Sequence, residues 1–326
     1  MTKKKWTYWI FGASLMLLVA CGSENTNEGG AIVLADNGWD SLKFHNAVAE
    51  FIISNGYGYE AESISGSTAA IMSGIEDQEI NIQMEVWTQN LGESYVEGLE
   101  NGDYQKVSVN FDDNFQGLYV PTYMIEGDPE RGIEPLTPDL EYITDLPEYW
   151  EVFEDPDDSS KGRIIGSISG WEVDEVLYDG IVEYGLDEYY NYFRPGSESA
   201  INISLSDAYE NGDPWIGYNY EPNWVMGMYD MTPIIEESED GPLAEMGAQD
   251  IDIIVSNDLE DWAPDVVEFL SNYETSSEIA NEALQYIQEE DASIEETAEK
   301  FLNDYEDLWT EWVTDEAEEQ VKAALE

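Results

Sequence analysis

The stretch AIVLADNGWDSLKFHNAVAEFIISNG, residues 31–56, contains a short apolar strand, a turn and an amphipathic helix. The strand occupies residues 31–36, and a turn over 37–39 follows it. Asp40 or Ser41 can cap the helix, which ends at an Asn-Gly pair. The apolar face of this helix carries Leu42, His45, Val48, Phe51 and Ile52. A strand that leads directly into a helix is the repeating unit of an α/β fold.

The same pattern recurs along the chain. The sequence predicts helices over 67–78, 173–184 and 197–212, and strands over 79–87, 162–169 and 214–220. Strands that alternate with helices predict βαβ units and mostly parallel sheets. The C-terminal third is predicted to be helical over 263–273, 276–288 and 293–313, the last helix opening with a Ser-to-Glu capping box.

Large aromatic residues follow several of the predicted strands. Trp39, Trp87 and Trp171 each stand at or just past a strand end. The stretch PWIGYNYEPNWVMGMYD, residues 214–230, adds further rings around Tyr220. In open α/β sheets, ligands bind beyond the carboxyl ends of the strands. The rings are therefore predicted to line a cleft, and the alternative is that they pack helices against sheets.

Aromatic rings at a cleft favour a cationic ligand. The face of each ring is electrostatically negative, and a desolvated cation over it gains about 2 kcal/mol, with Trp the best partner. A fully alkylated ammonium group has no N–H to donate, so it depends on such faces for its recognition. The sequence therefore predicts an aromatic cage for a quaternary ammonium group.

The charge of the chain is strongly negative. Its 73 acidic residues stand against 11 Lys and Arg, for a formal net charge of −62. Nucleic acid is excluded as a partner, because its phosphates would be repelled. Acidic residues spread over every segment are typical of a protein adapted to concentrated salt, in which counterions screen the self-repulsion. The same negative field can also gather a cationic ligand.

The N-terminus has the features of a secretory signal. Lys3, Lys4 and Lys5 precede an apolar run over 6–17 that is too short to span a bilayer. The following LVACG resembles a bacterial lipobox, in which Cys21 is acylated and becomes the first mature residue. Residues 1–20 are thus predicted to be a signal peptide. Residues 21–30 would carry the lipid and form a flexible tether, which anchors the protein on the extracytoplasmic face of the cell membrane.

The same residue counts limit the catalytic alternatives. Cys21 is the only cysteine, so no disulfide or cysteine metal site can form, and His45 is the only histidine and is expected to pack its helix. No motif for a metal or a cofactor is present, and none is predicted. Glu85, Glu172 and Asp174 could pair as acid and base in a glycoside hydrolase. A secreted surface hydrolase is therefore the alternative function, and it requires two carboxyl groups that face each other in the cleft.

Several motifs recur in order in one family. IMSGIEDQEINIQMEVW, GLYVPTY, GSISGWE and YNYEPNWV, together with the lipobox, Trp39 and the Pro264 helix, resemble the substrate-binding proteins of ABC transporters for glycine betaine, choline and related quaternary amines. The resemblance extends over residues 31–312. It implies a non-catalytic, monomeric receptor that hands its ligand to a membrane permease.

The resemblance also implies the fold and its division. The fold is a two-lobed type II periplasmic-binding-protein fold, with a mostly parallel sheet flanked by helices in each lobe and the ligand cleft between them. Residues 31–116 and 235–326 would form lobe I, and residues 117–234 would form lobe II. The chain would cross between the lobes near Gly117 and near residues 230–236.

The cage of the family falls on particular residues of this chain. Its tryptophans match Trp39, Trp87 and Trp171, and Tyr220 stands where Trp is common. Some betaine-binding members have His after the last strand, where this chain has Asn223. The candidate donors to a betaine carboxylate are therefore the Asn223 amide and backbone N–H groups near Gly170. Asp40 is the candidate acceptor for a choline hydroxyl, with glycine betaine the first expected ligand and choline the second.

Overall fold

The computed structural model describes residues 30–238, 241–244 and 246–326, so the expected signal peptide and Cys21 lie outside the described residues. In chain order the strands are β1 (Ile32–Asp36), β2 (Ala61–Ser65), β3 (Ile82–Trp87), β4 (Tyr104–Phe111), β5 (Phe115–Pro121), β6 (Glu154–Asp155), β7 (Asp158–Ile165), β8 (Tyr190–Phe193), β9 (Gly217–Glu221), β10 (Met231–Ile234) and β11 (Ile251–Ser256).

Helices surround these strands. They are α1 (Asp40–Ile52), α2 (Thr68–Glu76), α3 (Thr88–Leu91), α4 (Glu93–Asn101), α5 (Tyr123–Glu126), α6 (Glu172–Glu183), α7 (Glu198–Asn211), α8 (Trp224–Met228), α9 (Leu259–Trp262), α10 (Pro264–Asn272), α11 (Ser277–Glu290), α12 (Ile294–Asp304), α13 (Glu306–Trp309) and α14 (Asp315–Leu325). A π-helical turn, Ile53–Tyr57, extends α1 beyond its α-helical end.

The strands form two separate sheets, one in each lobe of the α/β fold. The first has the order β2-β1-β3-β11-β4, and the second has the order β10-β5-β9-β7-β6, with β8 beside β7. The chain passes from the first sheet to the second between Phe111 and Phe115, and it returns between Ile234 and Ile251. Gly117, near which a crossing is expected, lies within β5.

Both sheets are mixed rather than mostly parallel. β1 runs parallel to β2 and β3, but β11 runs antiparallel to both β3 and β4. In the second sheet β7 is parallel to β8 and β9, whereas β5 is antiparallel to β9 and β10. Apart from the short β6–β7 pair, each antiparallel pair includes a strand next to one of the two crossings. A strand that enters a sheet from the other lobe need not follow a βαβ crossover, so the helix–strand alternation does not fix its direction.

The C-terminal helices differ from the prediction. The single helix expected over 293–313 ends at Asp304 and resumes as α13 after Tyr305, whose backbone leaves the helical region. The break allows the Trp309 indole N–H to donate to the carbonyl of Leu302 at 2.7 Å, which satisfies one carbonyl of the last turn of α12. Trp309 is fully buried there, as expected of a packing residue.

His45 has the packing role that its helix position predicts. It is fully buried on α1, and its Nδ1 lies 2.9 Å from the Tyr273 hydroxyl. Burial lowers the pKa of His45 to about 3, so the imidazole is neutral at physiological pH. Within the described residues, no helix is long and apolar enough to cross a membrane.

The basic residues of the described chain are largely committed to ion pairs. Arg163 contacts Asp155 and Asp157, and Arg194 contacts Asp174. With 73 acidic residues in the sequence, most carboxylates have no basic partner. Counterions in solution must therefore screen the remaining repulsion.

We expect the melting temperature to fall as ionic strength is lowered. The screening length grows from about 3 Å in 1 M salt to about 10 Å in 0.1 M salt, so repulsion among the carboxylates reaches further. Calorimetric melting across a KCl series tests this expectation. A melting temperature that stays flat or rises on desalting would contradict adaptation to salt.

Candidate functional site

Four aromatic rings meet between the two lobes. In the first lobe, Trp39 follows β1 and Trp87 is the last residue of β3. In the second lobe, Trp171 precedes α6 and Tyr220 lies in β9. The four side chains are only 3–8% exposed. The structure thus brings together all four rings that the sequence predicts for the cage, two from each lobe.

The rings stand edge to face around a common space. Trp39 and Trp171 have centroids 5.5 Å apart and planes at 88°, and Trp87 and Tyr220 have centroids 5.6 Å apart and planes at 85°. Trp171 and Tyr220 are 5.9 Å apart at 81°. Tyr220 also stacks on Tyr218, with centroids 6.2 Å apart and planes at 27°. Edge-to-face pairs and offset stacks are the arrangements that aromatic side chains prefer.

The rings border a cavity of about 40 Å³. A single water needs about 10–15 Å³, so this cavity can hold a small group of several heavy atoms. Its lining consists of Trp39, Thr68, Met72, Gln83, Glu85, Val86, Trp87, Asn90, Leu91, Trp171, Glu172, Val173, Tyr218 and Tyr220. Of these lining residues, all within the described chain, none is Lys, Arg or His.

Two glycines position the central tryptophans. Gly38 has φ +96° and Gly170 has φ +108°, in the region that only glycine adopts without strain. Each glycine is followed by a tryptophan that precedes a helix, α1 after Trp39 and α6 after Trp171. The same Gly-Trp turn therefore delivers one indole from each lobe into the cleft.

Hydrogen bonds fix the orientation of these two indoles. The Trp39 Nε1–H donates to Glu85 Oε2 at 2.7 Å, and the Trp171 Nε1–H donates across the cleft to the carbonyl of Asn37 at 2.9 Å. Both indole N–H groups are thus satisfied by the protein, and both rings line the cavity. The Asn37 contact also joins the lobes, as does the Thr68 N–H to Gly170 carbonyl bond at 3.0 Å.

Glu85 is a fully buried carboxyl group in the cavity lining. Its Oε2 accepts from Trp39 and, at 3.2 Å, from the Ser41 hydroxyl, whereas its Oε1 has no hydrogen-bond partner. Burial raises the pKa of Glu85 to about 7, against the opposing effect of the donors on Trp39, Ser41 and Trp87. Glu85 therefore changes its charge near neutral pH.

Glu198, at the start of α7, is the second buried carboxyl group near the cage. Its Oε1 accepts from the Tyr220 hydroxyl at 2.6 Å and from Asn223 Nδ2 at 3.1 Å. Its Oε2 accepts from the backbone N–H of Asp40 at 2.8 Å, at the first turn of α1 in the other lobe. Burial, and then the nearby Asp40 carboxylate, raise the pKa of Glu198 to about 8. This one side chain therefore joins a cage ring to the opposite lobe.

The predicted polar contacts lie outside the cavity lining. Asn223 is fully buried, and its amide donates to Glu198, Asn202 and Asn219 within its own lobe. The Asp40 carboxylate binds Lys43 Nζ at 3.0 Å. The Gly170 carbonyl accepts from the Thr68 N–H, and the Cα of Gly170 faces Ser67. The structure thus brings the predicted rings together but does not bring these three residues into the lining.

The fold is that of a known group of transport proteins. A family model described as the substrate-binding domain of ABC-type glycine betaine transport systems matches residues 30–304. The chain belongs to this family. Its members are extracytoplasmic solute-binding proteins of transporters and not enzymes.

Individual relatives agree with this assignment. A trimethylamine N-oxide-binding protein of Pelagibacter ubique is 22% identical over 287 residues, 86% of this chain and 89% of the relative. A glycine betaine and L-proline-binding protein from Borrelia burgdorferi superimposes with a TM-score of 0.74 at 18% identity, covering 89% of this chain and 99% of the other. A choline-binding protein in complex with choline gives 0.74 at 19% identity, covering 91% and 98%. These structures establish a type II periplasmic-binding-protein fold.

The sequence did not indicate Glu198 as a residue near the four rings. It indicated Glu85 only as a candidate acid or base of a hydrolase. Neither carboxyl group stands out among 73 acidic residues. One signal was available for Glu198, which directly follows the helix-capping Ser197 at the start of α7. Burial of that helix start depends on the approach of the other lobe, and a local pattern does not report it.

Proposed function

We propose that this protein captures a small quaternary ammonium solute in an aromatic cage formed by Trp39, Trp87, Trp171 and Tyr220, and delivers it to an ABC permease. The observation that carries the proposal is the edge-to-face arrangement of four rings, two from each lobe, around one cavity. A ligand in this cavity contacts both lobes, so binding stabilises their closed arrangement.

Four ring faces can supply the binding free energy that a micromolar affinity requires. Each desolvated ring face contributes about 2 kcal/mol toward a cation, and a micromolar dissociation constant requires about 8 kcal/mol. Because the rings are 3–8% exposed, a cation among them would be removed from water. Cation–π attraction is strongest for such a desolvated cation. The negative charge of the whole chain adds a long-range attraction for a cation.

Glycine betaine is the first candidate ligand. Glu172 and Val173, the first residues of α6, line the cavity, and the N–H groups at a helix start attract a carboxylate. This helix start follows Gly170, near which the sequence predicts such donors. The family description, which names glycine betaine, supports the same ligand.

Choline is the second candidate, and one feature of the lining favours it. The described lining residues include the carboxyl groups of Glu85 and Glu172 but no basic side chain. Such a lining suits a net cation better than a zwitterion. Trimethylamine N-oxide, the ligand named for the Pelagibacter relative, carries the same methylated head and belongs in the same comparison.

A calorimetric titration panel at high salt tests the proposal. Glycine betaine, choline, carnitine, proline betaine and trimethylamine N-oxide would be titrated into the mature protein, with L-proline and glucose as controls that lack a quaternary ammonium group. We expect saturable binding of at least one methylated ammonium solute. Binding of a sugar with no response to any ammonium solute would overturn the proposed function.

The hydrolase alternative has little support in the geometry of Glu85. A glycoside hydrolase needs two carboxyl groups on opposite sides of a substrate bond. Glu172 is the other carboxyl group of the lining, but both Glu85 oxygens are directed elsewhere, Oε2 to Trp39 and Ser41 and Oε1 toward His45 Nε2 at 3.7 Å. We therefore propose a non-catalytic, monomeric receptor.

We further propose that Cys21 carries a lipid that holds the protein on the outer face of the cell membrane. Replacing the acylated thiol by a hydroxyl removes the attachment site, so Cys21→Ser should move the protein from the membrane fraction to the medium. Fractionation with immunoblotting measures this, and solute affinity should remain that of the parent. Full membrane retention of the variant would rule the anchor out.

A further inference from the structure

We infer that Glu85 is the counter-charge of the bound cation, and that arrival of the cation drives a proton off this carboxyl group. The inference rests on the proposed function, because it assumes that an ammonium group occupies the cage. It assigns Glu85 a role in ligand selection beyond the orientation of Trp39.

The position of Glu85 supports the assignment. Its carboxyl group is fully buried in the cavity lining, and Oε1 has no hydrogen-bond partner. An unpartnered anionic oxygen in a buried site is costly, and a cation in the adjacent cavity offsets that cost. In the empty cavity the cost is avoided instead by protonation, in agreement with a pKa near 7.

The groups packed around Glu85 do not supply another counter-charge. From α1 it faces Trp39, Ser41 and His45, and from β3 it neighbours Trp87. His45 Nε2 lies 3.7 Å from Oε1, beyond hydrogen-bond distance, and burial keeps this imidazole neutral. Tyr273, behind His45, stays un-ionised because burial raises its pKa, with a further contribution from Glu85. None of these described groups is a cation, so the counter-charge for a Glu85 carboxylate would come from the ligand.

The sign of the coupling follows from charge. A nearby cation favours the ionised carboxyl group and lowers its pKa from about 7, so binding releases a proton at neutral pH. By linkage, the cation binds more tightly once Glu85 is ionised, and this advantage is lost as the pH falls below 7. Each unit by which the pKa falls corresponds to about a tenfold gain in affinity.

Closure also buries Glu198, whose raised pKa implies proton uptake with any ligand that closes the lobes. A matched pair of ligands separates proton uptake at Glu198 on closure from proton release at Glu85 on arrival of the cation. The pair consists of choline and its tert-butyl analogue, in which a neutral carbon replaces the nitrogen. Both would fill the cage, but only choline brings the charge that acts on Glu85.

The experiment is calorimetric titration of the mature protein in two buffers of different ionisation enthalpy near pH 7. Choline should release more protons than the tert-butyl analogue, by about half a proton per site when the pKa is near the working pH. The affinity ratio of choline to the analogue should rise about tenfold between pH 6 and 8. Equal proton exchange for the two ligands, or a ratio independent of pH, would overturn the inference.

Variants test the assignment to this residue. Glu85→Gln keeps an acceptor for Trp39. It should abolish the difference in proton release between choline and the tert-butyl analogue, and their affinity ratio should no longer change with pH. Glu50→Gln, at another carboxyl group whose pKa is raised by burial but which lies outside the cage, should retain both. A Glu85→Gln protein that keeps the proton difference would contradict the inference. If this variant does not fold, the ligand pair on the parent protein still decides it, and binding of no ammonium solute at all would overturn the proposed function itself.

Discussion

Trp87→Ala is expected to weaken binding of the ammonium solute by about thirtyfold or more, which corresponds to about 2 kcal/mol. The loss combines one cation–π contact with the apolar contact of the ring at the end of β3. Trp87 also packs edge to face against Tyr220, so its removal opens the cage toward the second lobe. Titration calorimetry with glycine betaine and choline measures the effect.

Two variants serve as controls for this result. Trp87→Phe should cost less than Trp87→Ala, because an aromatic face remains. Trp309→Phe, in the buried C-terminal core, removes the hydrogen bond to Leu302 and should lower stability while leaving affinity alone. If Trp87→Ala binds every tested solute as tightly as the parent, the rings are core packing rather than a cage.

Glu198→Ala is expected to weaken solute binding at least tenfold, because a buried donor that loses its acceptor costs about 1–3 kcal/mol. The change removes the acceptor for the Tyr220 hydroxyl and the only side-chain contact described for the Asp40 N–H. The closed arrangement loses a link between the lobes, and Tyr220 loses its anchor. Affinity by calorimetry and closure by solution X-ray scattering, with and without glycine betaine, measure both consequences.

The matched control lies on the same helix. Asp207 is exposed on α7, so Asp207→Ala removes one negative charge without disturbing the link. Its affinity and scattering profile should match those of the parent. A Glu198→Ala protein that closes around its ligand as the parent does would show that this carboxyl group has no part in closure.

The meeting of the four rings could be predicted because their signals are local. Trp39 and Trp171 each follow a strand and a glycine and precede a helix, and this order can be read directly from the sequence. The partners of the rings could not be read in this way. The family resemblance places Tyr220 where Trp is common, yet the Tyr220 hydroxyl donates to Glu198, a contact between residues that meet only through the fold.

The parts of the fold that were missed have physical reasons. β2 is an edge strand with four exposed residues, so it lacks the apolar alternation that marks a strand. α14 packs Val321 and Ala317 closely against Gly56, a contact with a distant part of the chain. The direction of β11 is set by its return from the other lobe. β2 and β11 thus depend on long-range contacts, whereas α14 also has local helix signals, with Thr314 as its N-cap and acidic residues in its first turn.

A crystal structure of the mature protein with glycine betaine, grown at high salt, would show whether the four rings surround the ligand. We expect the trimethylammonium nitrogen within about 6 Å of the ring centroids of Trp39, Trp87, Trp171 and Tyr220, the range of cation–π attraction. The carboxylate should lie at the start of α6. A ligand bound outside these four rings, or a cavity that remains closed to it at saturating concentration, would contradict the account.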